Sequence, residues 1–339
     1  MILAQDHSLD DGVAGADAVR VPAPLPTPGS GRASGPAVLM VLGSCSSLQV
    51  GAALAARLFP QVGPAGATLL RLGLAALVLL ALARPRLRGW DRSQWTAVAA
   101  FGVSLVGMNG AFYAAIDRIP LGTAVTVEFL GPLALAAALS RRPRDLAWVA
   151  LAAAGVAVLG LTDGGAGGGL DPVGVALALV AGAFWAFYIL ASARVGAAVP
   201  GSGGLAVAMG LAALVVLPLG AAGAARLPEA PHLLPVALAM ALLASVVPYS
   251  LELAALRRLP PHVFGVLLSL EPAVATLAGW LLLGQGIGAV GLAAIAGVVA
   301  ASIGSTLTAR PVHASPGPEG PSSAVGEPHV QGEGAVVRP

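Results

Sequence analysis

The sequence predicts an all-α membrane protein of ten transmembrane helices arranged as two inverted repeats of five. Three observations carry that expectation. Composition is the first: 57% of the 339 residues are hydrophobic, 10% are charged and the mean hydropathy is +0.86, so water cannot be the main solvent. An internal duplication is the second. Ala114-Ala-Ile-Asp-Arg-Ile-Pro120, ending at Gly131-Pro132, returns as Ala254-Ala-Leu-Arg-Arg-Leu-Pro260, ending at Glu271-Pro272, at a constant offset of 140 residues over 19 positions. The third is arginine, which falls almost wholly on one set of alternate loops.

Taken in order, residues 1–35 carry Asp6, Asp10, Asp11 and Asp17 and then a run of prolines. No basic stretch leads into an apolar core there, so a signal peptide is not expected and the segment reads as a disordered tail. A bilayer core of about 30 Å needs roughly 20 apolar residues per helix. Segments of that kind fall at 36–56, 64–83, 95–116, 121–140 and 146–162, forming the first repeat (36–162). The second repeat (172–308) holds those at 172–192, 203–222, 232–256, 261–283 and 288–308. Turn signals separate them, among them Phe59-Pro60 to Gly63-Pro64, Arg142-Pro143, Gly164 to Gly169, Pro200-Gly201 and Gly284 to Gly288. Residues 310–339, rich in Pro, Gly, Ser and Glu, read as a second disordered tail.

All 18 cations are arginine. With both termini cytoplasmic, the inner loops hold Arg84, Arg86, Arg88, Arg92, Arg141, Arg142, Arg144, Arg194, Arg257 and Arg258, and the tails add Arg20, Arg32, Arg310 and Arg338. Only Arg57, Arg118 and Arg226 face outward, as the positive-inside rule requires of ten spans. Five spans per repeat is an odd number, so the second copy enters from the opposite face. Gly155-Val156 and Gly297-Val298 occupy matching small-residue runs in the fifth and tenth spans, which suits close helix packing in lipid.

Several functions are excluded by what remains. A net charge of +2 does not make a nucleic-acid groove. The single cysteine, Cys45, cannot form a disulfide within the chain and reads as a packed thiol. Histidines 7, 232, 262, 313 and 329 fall in tails or at helix ends, and no HExxH, phosphate loop or GxSxG elbow is present, so neither a metal nor any other cofactor is expected. Gly286-Ile-Gly-Ala-Val-Gly291 matches GxGxxG, yet it follows an apolar helix rather than a strand and reads as a helix connection.

Four ionisable residues lie within the expected spans: Arg71, Glu128, Glu252 and Glu271. Each costs about 2.5 to 3.5 kcal/mol at a helix centre, so each is expected in the bundle interior, as part of a functional site. Prolines sharpen the reading. Pro132 frees the carbonyl of Glu128 and Pro272 that of Leu268, since a proline cannot donate to the carbonyl four residues back, and Pro248 marks a third break. A kinked helix at mid-depth that carries an acid can hold a proton or an ammonium group. A structural ion pair with Arg71 is the alternative for Glu128 or Glu271. Arg71 itself suits a substrate carboxylate or such a pair. Glu252, one turn from the expected cytoplasmic end of its helix and near Arg257 and Arg258, reads as a gate or interface salt bridge. Ser46 with Gln49, Asn109 with Tyr113 and Tyr249 with Glu252 share helix faces at three- or four-residue spacing and are candidates for cavity lining or for interhelical hydrogen bonds. Trp185 and Tyr188 are candidates to shape the same space.

The stretches Gly51 to Leu77, Thr123 to Trp148 and Pro248 to Gln285 resemble the drug/metabolite transporter superfamily, EamA type, and within it exporters of threonine and homoserine. The resemblance covers residues 36–308. It implies a plasma (inner) membrane secondary transporter that moves small neutral amino acids outward by proton antiport, without enzymatic activity or nucleic-acid partners. Glu128 and Glu271 would serve coupling or ammonium binding, and Arg71 would anchor the carboxylate. Efflux of another small metabolite or a cationic drug is the nearer alternative. A lipid flippase or a membrane-embedded enzyme is the more distant one.

Overall fold

The computed structural model describes residues 35–140, 143–162, 170–199, 201–256 and 258–308. Both expected tails, the Gly164 to Gly169 turn, Arg141, Arg142 and Arg257 lie outside them. Among the described residues the secondary structure is entirely helical: α1 (Gly35–Ala83), α2 (Arg92–Ile116), α3 (Leu121–Glu128), α4 (Leu130–Ser140), α5 (Pro143–Thr162), α6 (Pro172–Ala198), α7 (Gly203–Ala224), α8 (Leu234–Ala241), α9 (Val247–Leu256), α10 (Pro261–Leu268), α11 (Glu271–Leu283) and α12 (Ala289–Thr308). Two short 3₁₀ turns precede α8, and a π turn, Leu242–Val246, joins α8 to α9. Eight helical stretches among these residues are long and apolar enough to cross a membrane. Large apolar side chains such as Leu82, Leu139, Leu219 and Trp280 stand exposed on the outside of the bundle, where lipid and not water is the compatible solvent.

Local chemistry explains the helix ends. Asp91 caps α2 by accepting from the Gln94 N–H at 2.8 Å, while the Gln94 side chain accepts from the Asp91 N–H at 3.0 Å, a reciprocal capping box. Asp171 caps α6, accepting from Val173 N–H at 2.9 Å with Pro172 at the first helical position. Arg118 also donates to Asp171 at 3.0 Å, and this bond, followed by the Val173 N–H, holds the Asp171 carboxyl below the usual range. Gly284 ends α11 in the left-handed conformation (φ 66°). The Gly286 to Gly291 segment leads from there straight into α12, as a helix connection.

The turn expected between Phe59 and Pro64 falls at Gly63, whose backbone is not helical (φ 68°, ψ 166°) and divides α1 into two helices joined at a kink; its lack of a Cβ permits that conformation. Two further breaks lie within spans. One span is interrupted at Phe129, just after Glu128, and another at Ser269 and Leu270, just after Leu268. Those are the two residues whose carbonyls Pro132 and Pro272 release.

Packing pairs α1 with α7, α8, α9 and α11, α6 with α2, α3 and α4, α5 with α12, and α3 with α11. In the α5–α12 pair, Gly155 lies against Ala294 and Val298. A cluster including Leu58, Tyr113, Leu121, Val125 and Met240 seals one end of the bundle. At that end the Gln285 side chain accepts from the Leu121 N–H at 2.9 Å and Arg57 donates to the Leu282 carbonyl at 2.6 Å.

Candidate functional site

Where the two broken helices meet α1, α2, α6, α9 and α12, the bundle holds an open cavity of about 530 Å³. Glu128 reaches its wall because α3 stops there. At that stop α6 approaches so closely that a Cβ on Gly131 would overlap the Gly182 carbonyl, and one on Gly182 would overlap that of Glu128. Only glycine at both positions permits this crossing. Glu271 reaches the wall from the first residue of α11, the corresponding resumption in the other broken helix.

The lining is both polar and aromatic. Gln49, Arg71, Asn109, Glu128, Glu252 and Glu271 are among its polar groups. Phe112, Phe129, Trp185, Tyr188 and Phe264 also line it, with Phe129 and Trp185 packed edge to face at 5.3 Å between ring centroids. Glu128 is 7% exposed, Glu271 5% and Arg71 4%, so charge in this space is only weakly screened by water.

Arg71 does not pair with either acid. The ion pairs among the described residues are Arg118 with Asp171 and Arg144 with Asp145. Instead the guanidinium donates to Ser245 Oγ at 3.2 Å, to the Tyr113 hydroxyl at 3.3 Å and to the Ala244 carbonyl at 2.7 Å. It also lies 5.4 Å from the Tyr113 ring centroid. All three acceptors are formally neutral, so its positive charge is not cancelled by contact. Gln49 Nε2 donates to Glu271 Oε1 at 3.1 Å, and Glu128 has no hydrogen-bond partner among the described residues.

Several expected roles change. Ser46 is exposed and does not line the cavity, because the buried stripe of α1 runs through Val41, Ser44, Cys45, Gln49 and Ala52 and leaves Ser46 on the other side. Tyr113 is fully buried and does not line the cavity, meeting the lining residues Arg71 and Phe112, whereas Asn109 on the same face does line it. Glu252 forms no salt bridge with Arg258, which reaches Met40 Sδ at 3.5 Å. It lines the cavity and accepts from Ser44 Oγ at 2.7 Å. Tyr249, Pro132 and Pro248 line the wall, and Pro272 is buried at the start of α11. Ser44, Ser245 and Ser302 were not foreseen. Small hydroxyls are common in membrane helices, and only the period of the α1 stripe pointed to Ser44. No group of His, Cys, Asp and Glu suited to a metal occurs among the described residues.

Comparison with known proteins follows the same lines. Residues 172–307 match the EamA-like transporter family. The chain is 44% identical over 273 residues to the threonine/homoserine exporter RhtA of Escherichia coli (strain K12), covering 80% of this chain and 92% of that protein. It is 45% identical, with the same coverage, to the threonine/homoserine exporter RhtA of Salmonella typhimurium (strain LT2). One crystal structure superimposes with a TM-score of 0.51 at 21% identity over 80% of this chain and 94% of that one, a likeness of fold alone. Identity at this level over most of both chains, together with the helical bundle and its apolar exterior, makes this multi-pass membrane protein a member of the EamA-like transporter family.

Proposed function

We propose that the protein exports small neutral amino acids of the threonine and homoserine kind across the plasma (inner) membrane, in exchange for protons. The observation that carries this reading is one cavity lined by a guanidinium without an acid partner and by the carboxyls of Glu128 and Glu271. An amino acid has both complements, a carboxylate for Arg71 and an ammonium for the acids. The named activity of the relatives points the same way.

The architecture belongs to the same proposal. Counting α1 as two crossings, each broken helix as one and α5 as one gives ten. The two repeats, 36–162 and 172–308, are then inverted with both termini cytoplasmic. Three features support the duplication: the breaks after Glu128 and Leu268 stand at the repeat offset, α1 packs on α8 and α9 as α6 packs on α2, and the family match begins at residue 172; five crossings per copy, an odd number, then make the copies opposite in orientation.

In that orientation Ala136, Ser192, Glu252, Phe264 and Thr306 line the cytoplasmic half of the space, and the Gln285–Leu121 and Arg57–Leu282 contacts close the outer end. Substrate enters from the cytoplasm, with its ammonium at Glu271 and Glu128 and its carboxylate at Arg71. Once the site opens outward, protons entering from outside neutralise the acids and release the ammonium. Return to the inner side releases the protons and restores the charge that binds the next substrate. Proton and ammonium compete for the same oxygens, and this competition couples their opposite movements.

The cavity volume favours a second reading. Threonine has eight non-hydrogen atoms, whereas about 530 Å³ holds on the order of 18 waters at ~30 Å³ each, and aromatic side chains are part of the lining. A larger metabolite or a cationic amine fits that space as well. Uptake of labelled threonine into proteoliposomes under an imposed pH gradient separates the two readings. Gradient-driven uptake should fall at least tenfold in Glu128→Gln and Glu271→Gln variants present at normal levels. Wild-type rates in both variants would refute the coupling role, and transport of cationic amines but not threonine would favour the second reading.

A further inference from the structure

Pro248 has no N–H, so a continuing helix lacks the donor that would serve one of two backbone carbonyls: Ala244 in α-helical register, four residues back, or Leu243 in π register, five back. Both lie in the π turn Leu242–Val246. Each is taken instead by a side chain of α1. Ser47 Oγ donates to the Leu243 carbonyl at 2.8 Å, and Arg71 Nη2 donates to that of Ala244 at 2.7 Å. The next residue of the turn, Ser245, accepts from Arg71 Nε at 3.2 Å. The Tyr113 hydroxyl takes Nη1. A guanidinium carries five N–H groups. Three are engaged here, and one remains on each terminal nitrogen for an acid group in the cavity.

We propose that Pro248 is a positioning residue for Arg71, and that the π turn it maintains sets selectivity for substrates bearing a carboxylate. The inference rests on Arg71 as the carboxylate anchor. Arginine rotamers are numerous and costly to fix. Without the released carbonyl, the side chain would be held by Tyr113 and Ser245 alone, at long donor distances. A proline at 248 removes the α-helical N–H that would otherwise compete for the Ala244 oxygen. The polar contact that orients the anchor therefore comes from a helix far away in sequence and is set by one missing hydrogen. Pro248 itself is on the cavity wall, so its effect on Arg71 must be separated from any direct contact with substrate.

Labelled threonine and labelled threoninamide, which lacks the carboxylate but keeps the ammonium, make that separation in proteoliposomes. Wild-type protein should prefer threonine, and Arg71→Gln should abolish the preference. Pro248→Ala, which restores a competing N–H, should reduce the preference at least tenfold, by raising the half-saturating concentration of threonine far more than that of threoninamide. If Arg71→Gln retains the preference, or the wild type has none, Arg71 does not read the carboxylate and the inference falls with that reading. If Arg71→Gln abolishes it while Pro248→Ala retains it, or slows both probes equally, the anchor stands and the positioning role is overturned. Should Pro248→Ala not reach the membrane, Ser245→Ala, which removes the acceptor for Arg71 Nε, carries the same two outcomes with a severalfold loss of preference expected.

Discussion

Gln49 Nε2 donates to Glu271 Oε1 at 3.1 Å across 222 residues of sequence, while Gln49 Oε1 is buried without a partner among the described residues. One amide thus supports an acid of the cavity at the expense of leaving its own acceptor unsatisfied. Two opposing energies meet in a single side chain.

Gln49→Leu removes both at once. Loss of the donor and relief of the orphan acceptor are each about 1–3 kcal/mol, so they should cancel to within about 1 kcal/mol. Gln49→Glu instead sets a second acid against Glu271 and should destabilise by about 3 kcal/mol or more. Thermal unfolding in detergent checks the order. A leucine variant no more stable than the glutamate one would contradict it.

At the Gly131–Gly182 crossing, space decides the sign of a glycine substitution. Gly131→Ala would drive a methyl into the Gly182 carbonyl and should cost about 1–3 kcal/mol or more by overpacking. It should also impair transport, since the displaced backbone bears Glu128. Gly210→Ala is the control: nothing lies within 4 Å of its added Cβ, and in a helix interior it should gain about 0.5–1 kcal/mol. Paired unfolding curves test both.

Between Arg118 and Asp171 the contribution depends on pH. Arg118 holds the folded-state Asp171 below its unfolded value, so the pair stabilises above the ordinary aspartate range and its contribution is lost as pH falls through the lowered folded value. Arg118→Ala should therefore unfold at lower temperature than wild type at neutral pH, with the gap closing in strong acid. A gap that widens on acidification would show that the arginine acts through something other than this pair.

Much of the bundle was legible in the chain because lipid imposes a simple rule. Each crossing needs a run of apolar residues, and a proline within one frees a predictable carbonyl. That rule placed the breaks after Glu128 and Leu268, and it marked Arg71, Glu128, Glu252 and Glu271 as interior before any contact was known. Local punctuation also marked the Phe59 to Pro64 turn, where α1 divides into two helices at Gly63.

Sequence alone determined which residues must avoid lipid and where helices cannot keep their hydrogen bonds, since both follow from local chemistry. Tertiary structure alone decided what each of them meets. Ser44 rather than Ser46 faces Glu252, Tyr113 stands behind Arg71 rather than in the cavity, and Arg71 takes the Ala244 carbonyl instead of a glutamate. The physical reason is that every residue offers a backbone carbonyl and most helices here offer small hydroxyls. Selection among so many equivalent partners rests on helix rotation and approach, which are set by packing over the whole bundle.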